Sequence, residues 1–166
     1  MSQFDWEEKL RSESADKNIA ENVIHGIKRL FDEDTLLLTR NAHEQAVTAS
    51  LACHLRPLFP DWHVDCEFNR DAQSKDDIKR LKRRPVKPDI IVHHRGQDEN
   101  LLAFEVKQSA NNIDTAKDRD AIRKLVGYLT NQKYQHALFL KFQSGASVPG
   151  IWRAEWVESR RGRRSV

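Results

Sequence analysis

The sequence predicts an α/β fold, a mixed central sheet flanked by helices, on three observations. A β-branched apolar run at 90–93 and a second apolar run at 101–106 flank the polar stretch Arg95-Gly96-Gln97-Asp98-Glu99-Asn100, which carries turn chemistry. Apolar residues recur at helical spacing over 16–31, 42–58 and 115–131. The last of these stretches is followed by an apolar run at 136–142, so strand, helix and strand succeed one another as in a parallel crossover. With 166 residues, 39% of them hydrophobic, the chain is long enough for one domain with its own core. No run approaches the roughly 20 apolar residues that cross a bilayer. The opening Met-Ser-Gln-Phe-Asp-Trp-Glu-Glu is too acidic and polar for a signal peptide. A cytoplasmic protein with no membrane partner is therefore expected.

In chain order, residues 1–14 read as a short helix that Phe4, Trp6 and Leu10 can dock. Residues 16–31 form a clearer helix through Ile19, Val23, Ile27 and Leu30, with Asp16 as its cap. Residues 32–39 break the pattern and should connect. This prefix, 1–39, either covers the sheet and the next helix or forms an oligomer interface. The core, 40–142, opens with a helix over 42–58 that stops at Pro60 and buries Val47, Leu51, Leu55 and Leu58. Glu44 lies on the same stripe, and with Asn41 as N-cap it could close a capping box. Residues 62–68 alternate as a strand, with Trp62, Val64, Cys66 and Phe68 on one side and His63, Asp65 and Glu67 on the other.

The two cysteines, Cys53 and Cys66, fall at apolar positions and read as reduced, buried thiols suited to the cytosol. Residues 69–87 form a long loop that turns basic: six of the nine residues from 79 to 87 are Lys or Arg. Asp114 or Thr115 can cap a helix to about residue 131, with Ile122, Leu125, Val126 and Leu129 as its stripe and Arg119, Arg123 and Lys124 off it. The extension 143–166 offers an edge strand or short helix over 149–158 and ends in the basic tail at 160–164.

The chemistry gathers at residues 88–107. Alternation along the second run points Leu102, Phe104 and Val106 one way and Ala103, Glu105 and Lys107 the other. A loop centred near Gln97 sets Asp89 opposite Glu105, and opposed residues share a face with Cβ atoms roughly 5 Å apart. Two carboxylates that close repel unless a cation sits between them or one takes up a proton. Beside a lysine they make a magnesium site, since that ion prefers carboxylate, water and phosphate oxygens. His93 and His94 could touch metal or phosphate, or simply pack. No glycine-rich phosphate loop, His-Glu-X-X-His zinc pattern or Gly-X-Ser-X-Gly elbow occurs.

Pro88-Asp89 followed by Glu105-Val106-Lys107 resembles the PD-(D/E)XK motif of the restriction-endonuclease-like nuclease superfamily, with both halves on predicted strands in the expected order. The resemblance covers roughly residues 40–142. Within it, the run Trp62-His63-Val64-Asp65-Cys66-Glu67-Phe68-Asn69-Arg70 and the run Lys87-Pro88-Asp89-Ile90-Ile91-Val92-His93 look like small members of that superfamily. It implies an αβββαβ core, here with an extra N-terminal helical segment, and metal-dependent hydrolysis of nucleic acid, DNA foremost. Asp89 and Glu105 would bind Mg²⁺, or Mn²⁺ in its place, with the Val106 carbonyl and Glu44 completing the shell. Lys107 would orient or deprotonate the attacking water, or stabilise the oxyanion.

Arg70, Lys79, Lys82, Arg83, Arg84 and Lys87 stand where they would meet substrate phosphates. A homodimer would suit cutting of both strands. A second reading keeps the fold without catalysis, as a nucleic-acid-binding or interaction module. If four of the basic residues neutralise phosphates, the slope of log K against log salt is about −3.6. Oligonucleotide affinities at a series of salt concentrations measure it directly.

Overall fold

The computed structural model describes residues 5–66 and 87–159, in which five strands form one sheet in the order β1-β2-β3-β4-β5. These are β1 His63–Cys66, β2 Ile90–His93, β3 Asn100–Ser109, β4 His136–Gln143 and β5 Gly150–Trp156. All neighbours are antiparallel except β3 and β4, which are parallel and joined through a helix, α5, Ala116–Asn131. A parallel pair cannot be closed by a hairpin, so the helix is what makes this pairing reachable. Four helices precede the sheet: α1 Trp6–Glu13, α2 Lys17–Glu33, α3 Thr35–Thr39 and α4 Glu44–Leu55. The mixed α/β class read from the sequence is the one observed. Among the described residues no helix is long and apolar enough to cross a membrane.

Alternation along the strands divides the core in two. Ile90, Val92, Leu102, Phe104, Val106, Leu138 and Leu140 pack with Val23 and Ile27 of α2 and Val47 and Leu51 of α4. On the other face Ile91, Ala103, Ala137 and Phe139 meet Ala121, Leu125 and Tyr128 of α5. Each large side chain so buried is worth roughly 1.5–3 kcal/mol. A slip of one residue in β3 would exchange its two faces and drive Glu105 into the α2 and α4 core, so burial on both sides pins the register.

Several boundaries differ from the sequence reading, each for a local reason. The connection at 32–39 contains α3, anchored by the buried Leu38. Asn41 has a φ of 54°, in the left-handed region, so it turns the chain rather than capping the helix. His43 is the N-cap and Glu44 the first helical residue, which leaves no capping box for Glu44 to close. The α-helix ends at Leu55, and Arg56–Leu58 tighten into a 3-10 turn where Pro57 lacks an N–H. Cys53 is exposed and Cys66 half-buried, against the expectation of two buried thiols, and neither forms a disulfide. The place beside Cys53 goes to His54, buried because its Nε2 lies 2.7 Å from Asp34 Oδ2.

Asp65, expected on a polar side, is buried between His93 and Arg95. The buried side of α5 is Asp118, Ala121, Leu125 and Tyr128, with Ile122 and Leu129 at its margin. That rotation from the predicted stripe follows from polar partners in the sheet: Lys141 Nζ lies 2.7 Å from Asp118 Oδ2 with both side chains buried. Residues 150–156 settle as the edge strand β5, whose Trp156 Nε1 donates to Leu10 O at 3.0 Å and ties α1 to the sheet. Glu67, Phe68, Arg70, Lys79, Lys82, Arg83, Arg84 and the basic tail lie outside the described residues.

Asp118→Ala strips Lys141 of its buried partner and the helix of its capping box. The expected loss is about 3–5 kcal/mol, the usual effect of leaving one buried charge unpaired. The double change Asp118→Leu with Lys141→Met, which leaves no charge behind, should recover most of it in urea unfolding.

Candidate active site

Pairing of β2 with β3 begins at Ile90 opposite Phe104, and Asp89 N donates to Phe104 O at 3.1 Å. Asp89 lies one residue before that ladder, near enough to Glu105 for its charge to act on that carboxyl. Asp89 Oδ2 accepts from Val106 N at 2.7 Å, which fixes its carboxylate against the backbone of β3. Glu105 points to the α5 side and is 1% exposed. Its Oε1 accepts from the Tyr128 hydroxyl at 3.0 Å, and Lys124 Nζ stands 4.0 Å from its Oε2.

Lys107 and Glu44 meet at the same end of the sheet. Lys107 Nζ donates to Glu44 Oε1 and to the Val106 carbonyl, both at 3.0 Å. Glu44 Oε2 accepts from Gln108 N at 3.2 Å. The first residue of α4 is thus bound across to β3 through both oxygens, and to serve as a metal ligand it would have to release one of these bonds. A cleft of about 400 Å³ opens beside Asp89, lined by Glu44, Gln45, Thr48, Ala49 and Cys66.

The electrostatics follow from burial and like charge. Burial raises Glu105, the nearby Asp89 charge adds to it, and together they carry its carboxyl to about 7. Asp89 is also raised, again by burial first, against the pull of the Val106 amide and the Lys107 ammonium. Burial alone would lower Lys107, but the field of Glu44, Asp89 and Glu105 holds it above its ordinary value. One of the two neighbouring carboxyls therefore holds a proton readily near neutrality, and the lysine stays charged.

These groups fit a hard divalent cation. Asp89, Glu105 and the Val106 carbonyl offer oxygen alone, and that carbonyl already accepts from a cationic group, the Lys107 ammonium. Among the described residues no three His, Cys, Asp or Glu side chains are arranged to hold a metal by themselves. Water and substrate oxygens would have to complete the shell, as is usual for magnesium.

Of the other residues singled out, Lys87 is exposed two positions before Asp89. His93 lies at the far end of β2, buried, with Nε2 2.8 Å from Asp65 Oδ2. His94 stacks on Trp62 with ring centroids 4.1 Å apart. Both histidines are held by local partners away from the carboxylates.

Tyr128, Lys124 and Gln108 were not singled out from the sequence as site residues. Tyr128 carries one readable signal, its place on the helical face it shares with Ala121 and Leu125. Gln108 continues the strand past Lys107, and its buried Nε2 finds no hydrogen-bond partner among the described residues.

The pH dependence of stability tests this arrangement. The folded Glu105 carboxyl sits near 7 against an ordinary 4.5, so the fold favours its protonated form. That contribution is complete below about pH 4.5 and is lost as pH rises to about 7, a fall of about 3 kcal/mol in metal-free protein. Glu105→Gln should flatten the profile in that window, measured by chemical denaturation. No protein-family model, curated protein or solved structure matches the chain.

Proposed function

We propose that this chain is a magnesium-dependent nuclease that hydrolyses phosphodiester bonds of nucleic acid, DNA foremost, on a restriction-endonuclease-like core. The observation that carries the reading is the half-buried Asp89 beside the buried Glu105, close enough for like charge to act between them, with the Lys107 ammonium next to them. The element order α4-β1-β2-β3-α5-β4 agrees with the αβββαβ core that the motif implies. A cytoplasmic setting suits two cysteines that form no disulfide, and a homodimer would allow both strands of a duplex to be cut.

A Mg²⁺ ion held by Asp89, Glu105 and the Val106 carbonyl, or Mn²⁺ in its place, would act as a Lewis acid and lower the pKa of bound water. The chain's own groups do the rest. Lys107, whose ammonium is held by Glu44 and the Val106 carbonyl, would orient or deprotonate the attacking water or stabilise the oxyanion. Glu44, bound to Lys107 through Oε1 and to Gln108 N through Oε2, fixes where that ammonium stands. Lys87, two positions before Asp89, and the basic run that precedes it in the sequence would supply phosphate contacts.

The test is cleavage of a panel of single- and double-stranded DNA and RNA in Mg²⁺. Wild type should cut at least one substrate, and Asp89→Asn should give no product while binding the same substrate. Lys107→Ala should slow cleavage about 100- to 10,000-fold, the range for a group acting on a proton or charge in the transition state. Nucleic-acid binding with no cleavage by wild type would instead favour the non-catalytic module.

A further inference from the structure

Glu105 is the most deeply buried member of the carboxylate pair, and a carboxylate on a strand can rotate about its terminal bonds unless something holds it. The group that holds it comes from α5. Tyr128, 2% exposed, donates its hydroxyl to Glu105 Oε1 at 3.0 Å. Its ring is wedged in the α5 core cluster with Ile91, Ala103, Leu125 and Phe139, and meets Tyr134 edge to face at 6.3 Å between centroids. The ring has no room to swing, so the hydroxyl is a fixed donor. The other carboxylate oxygen, Oε2, is not engaged by Tyr128 and has the Lys124 ammonium 4.0 Å away.

We propose that Tyr128 is a positioning residue for a divalent cation. It engages Oε1, sets the plane of the Glu105 carboxylate, and leaves Oε2 as the oxygen presented to the metal. This rests on the metal-binding reading of Asp89 and Glu105. Groups that orient a metal ligand from behind contribute about 10- to 100-fold in metal affinity. A tyrosine suits the task because a phenol can donate to the carboxylate without bringing a second charge into a buried site. Anchoring that phenol on a helix packed across the parallel strand pair makes the ligand's geometry part of the core.

The experiment is a Mn²⁺ titration of the full chain followed by electron paramagnetic resonance of the unbound ion, with thermal unfolding recorded for every variant. Tyr128→Phe keeps the ring and removes only the donor. It should fold and bind Mn²⁺ about 10- to 100-fold more weakly than wild type. Tyr134→Phe, which takes a hydroxyl from the neighbouring ring, should bind as wild type does. An unchanged affinity in a folded Tyr128→Phe overturns the proposal and leaves the metal site standing. A wild type that binds no Mn²⁺ overturns both.

Should Tyr128→Phe fail to fold, 3-fluorotyrosine can be incorporated in the Tyr134→Phe background, where Tyr128 is the sole remaining tyrosine of the two in the chain. Its fluorine resonance should then move saturably with Mg²⁺, and Glu105→Gln should abolish the movement. A resonance that ignores Mg²⁺ overturns the proposal.

Discussion

The pairing of Ile90 with Phe104 is the contact on which the candidate site depends, because the residue before the one and the residue after the other are Asp89 and Glu105, which it brings close together. Nothing in the chemistry of two carboxylates favours that arrangement; it is imposed by apolar burial on both faces of β3. Leu102, Phe104 and Val106 commit one face to the core against α2 and α4, while Ala103 commits the other to α5. Burial first, and the nearby Asp89 charge second, then make Glu105 proton-hungry, with a carboxyl near 7. The surrounding elements answer it. The Val106 amide meets Asp89, the Tyr128 hydroxyl meets Glu105, and Lys107 supplies the nearest positive charge to Glu44 and the Val106 carbonyl.

The same face of the sheet carries a row of cations. Lys107 of β3 is registered against Lys141 of β4, and Lys141 against Arg153 of β5. Three positive charges side by side would repel, so each has its own acid from outside the row or from the next position on its strand. Lys107 has Glu44, Lys141 has Asp118, and Arg153 has Asp114 and Glu155. These pairs differ in exposure, and the difference matters. The Lys141 and Asp118 side chains are 1% and 3% exposed, a closed pair that anchors the start of α5. Those of Lys107 and Glu44 are 20% and 40% exposed, a pair that solvent reaches. A single architectural pattern thus serves as a structural anchor in one strand and as candidate chemistry in its neighbour.

Much of this was readable in the residues. The apolar alternation in β3 and the loop centred on Gln97 were enough to bring Asp89 near Glu105, since period and loop length are local properties. The αβ order was readable for the same reason, whereas the residues left Asp114 or Thr115 as the cap, and an edge strand or a short helix for the segment with Trp152 and Trp156; the fold takes Thr115 and the strand. What could not be read depended on partners distant in sequence. Asp118 and Tyr128 turn inward on α5 because Lys141 and Glu105 wait for them, and no periodicity rule rewards an aspartate facing the core. Glu44 has no capping role, because a left-handed Asn41 delays the helix and Lys107, 63 residues away, takes the carboxylate. Asp65 is buried for a similar reason, between His93 and Arg95 of the adjoining hairpin.

Calorimetry of Mg²⁺ binding tests most directly whether the neighbouring carboxylates form a metal site, with wild type compared against Asp89→Ala and Glu105→Ala at neutral pH. Binding by wild type, lost in both folded variants, is the predicted result, with protons released to the buffer as the ion displaces the proton from Glu105. No heat of binding at roughly 10 mM metal with an oligonucleotide present, far above the range a working site requires, would contradict it. So would binding that survives both substitutions, since the ion would then be held elsewhere.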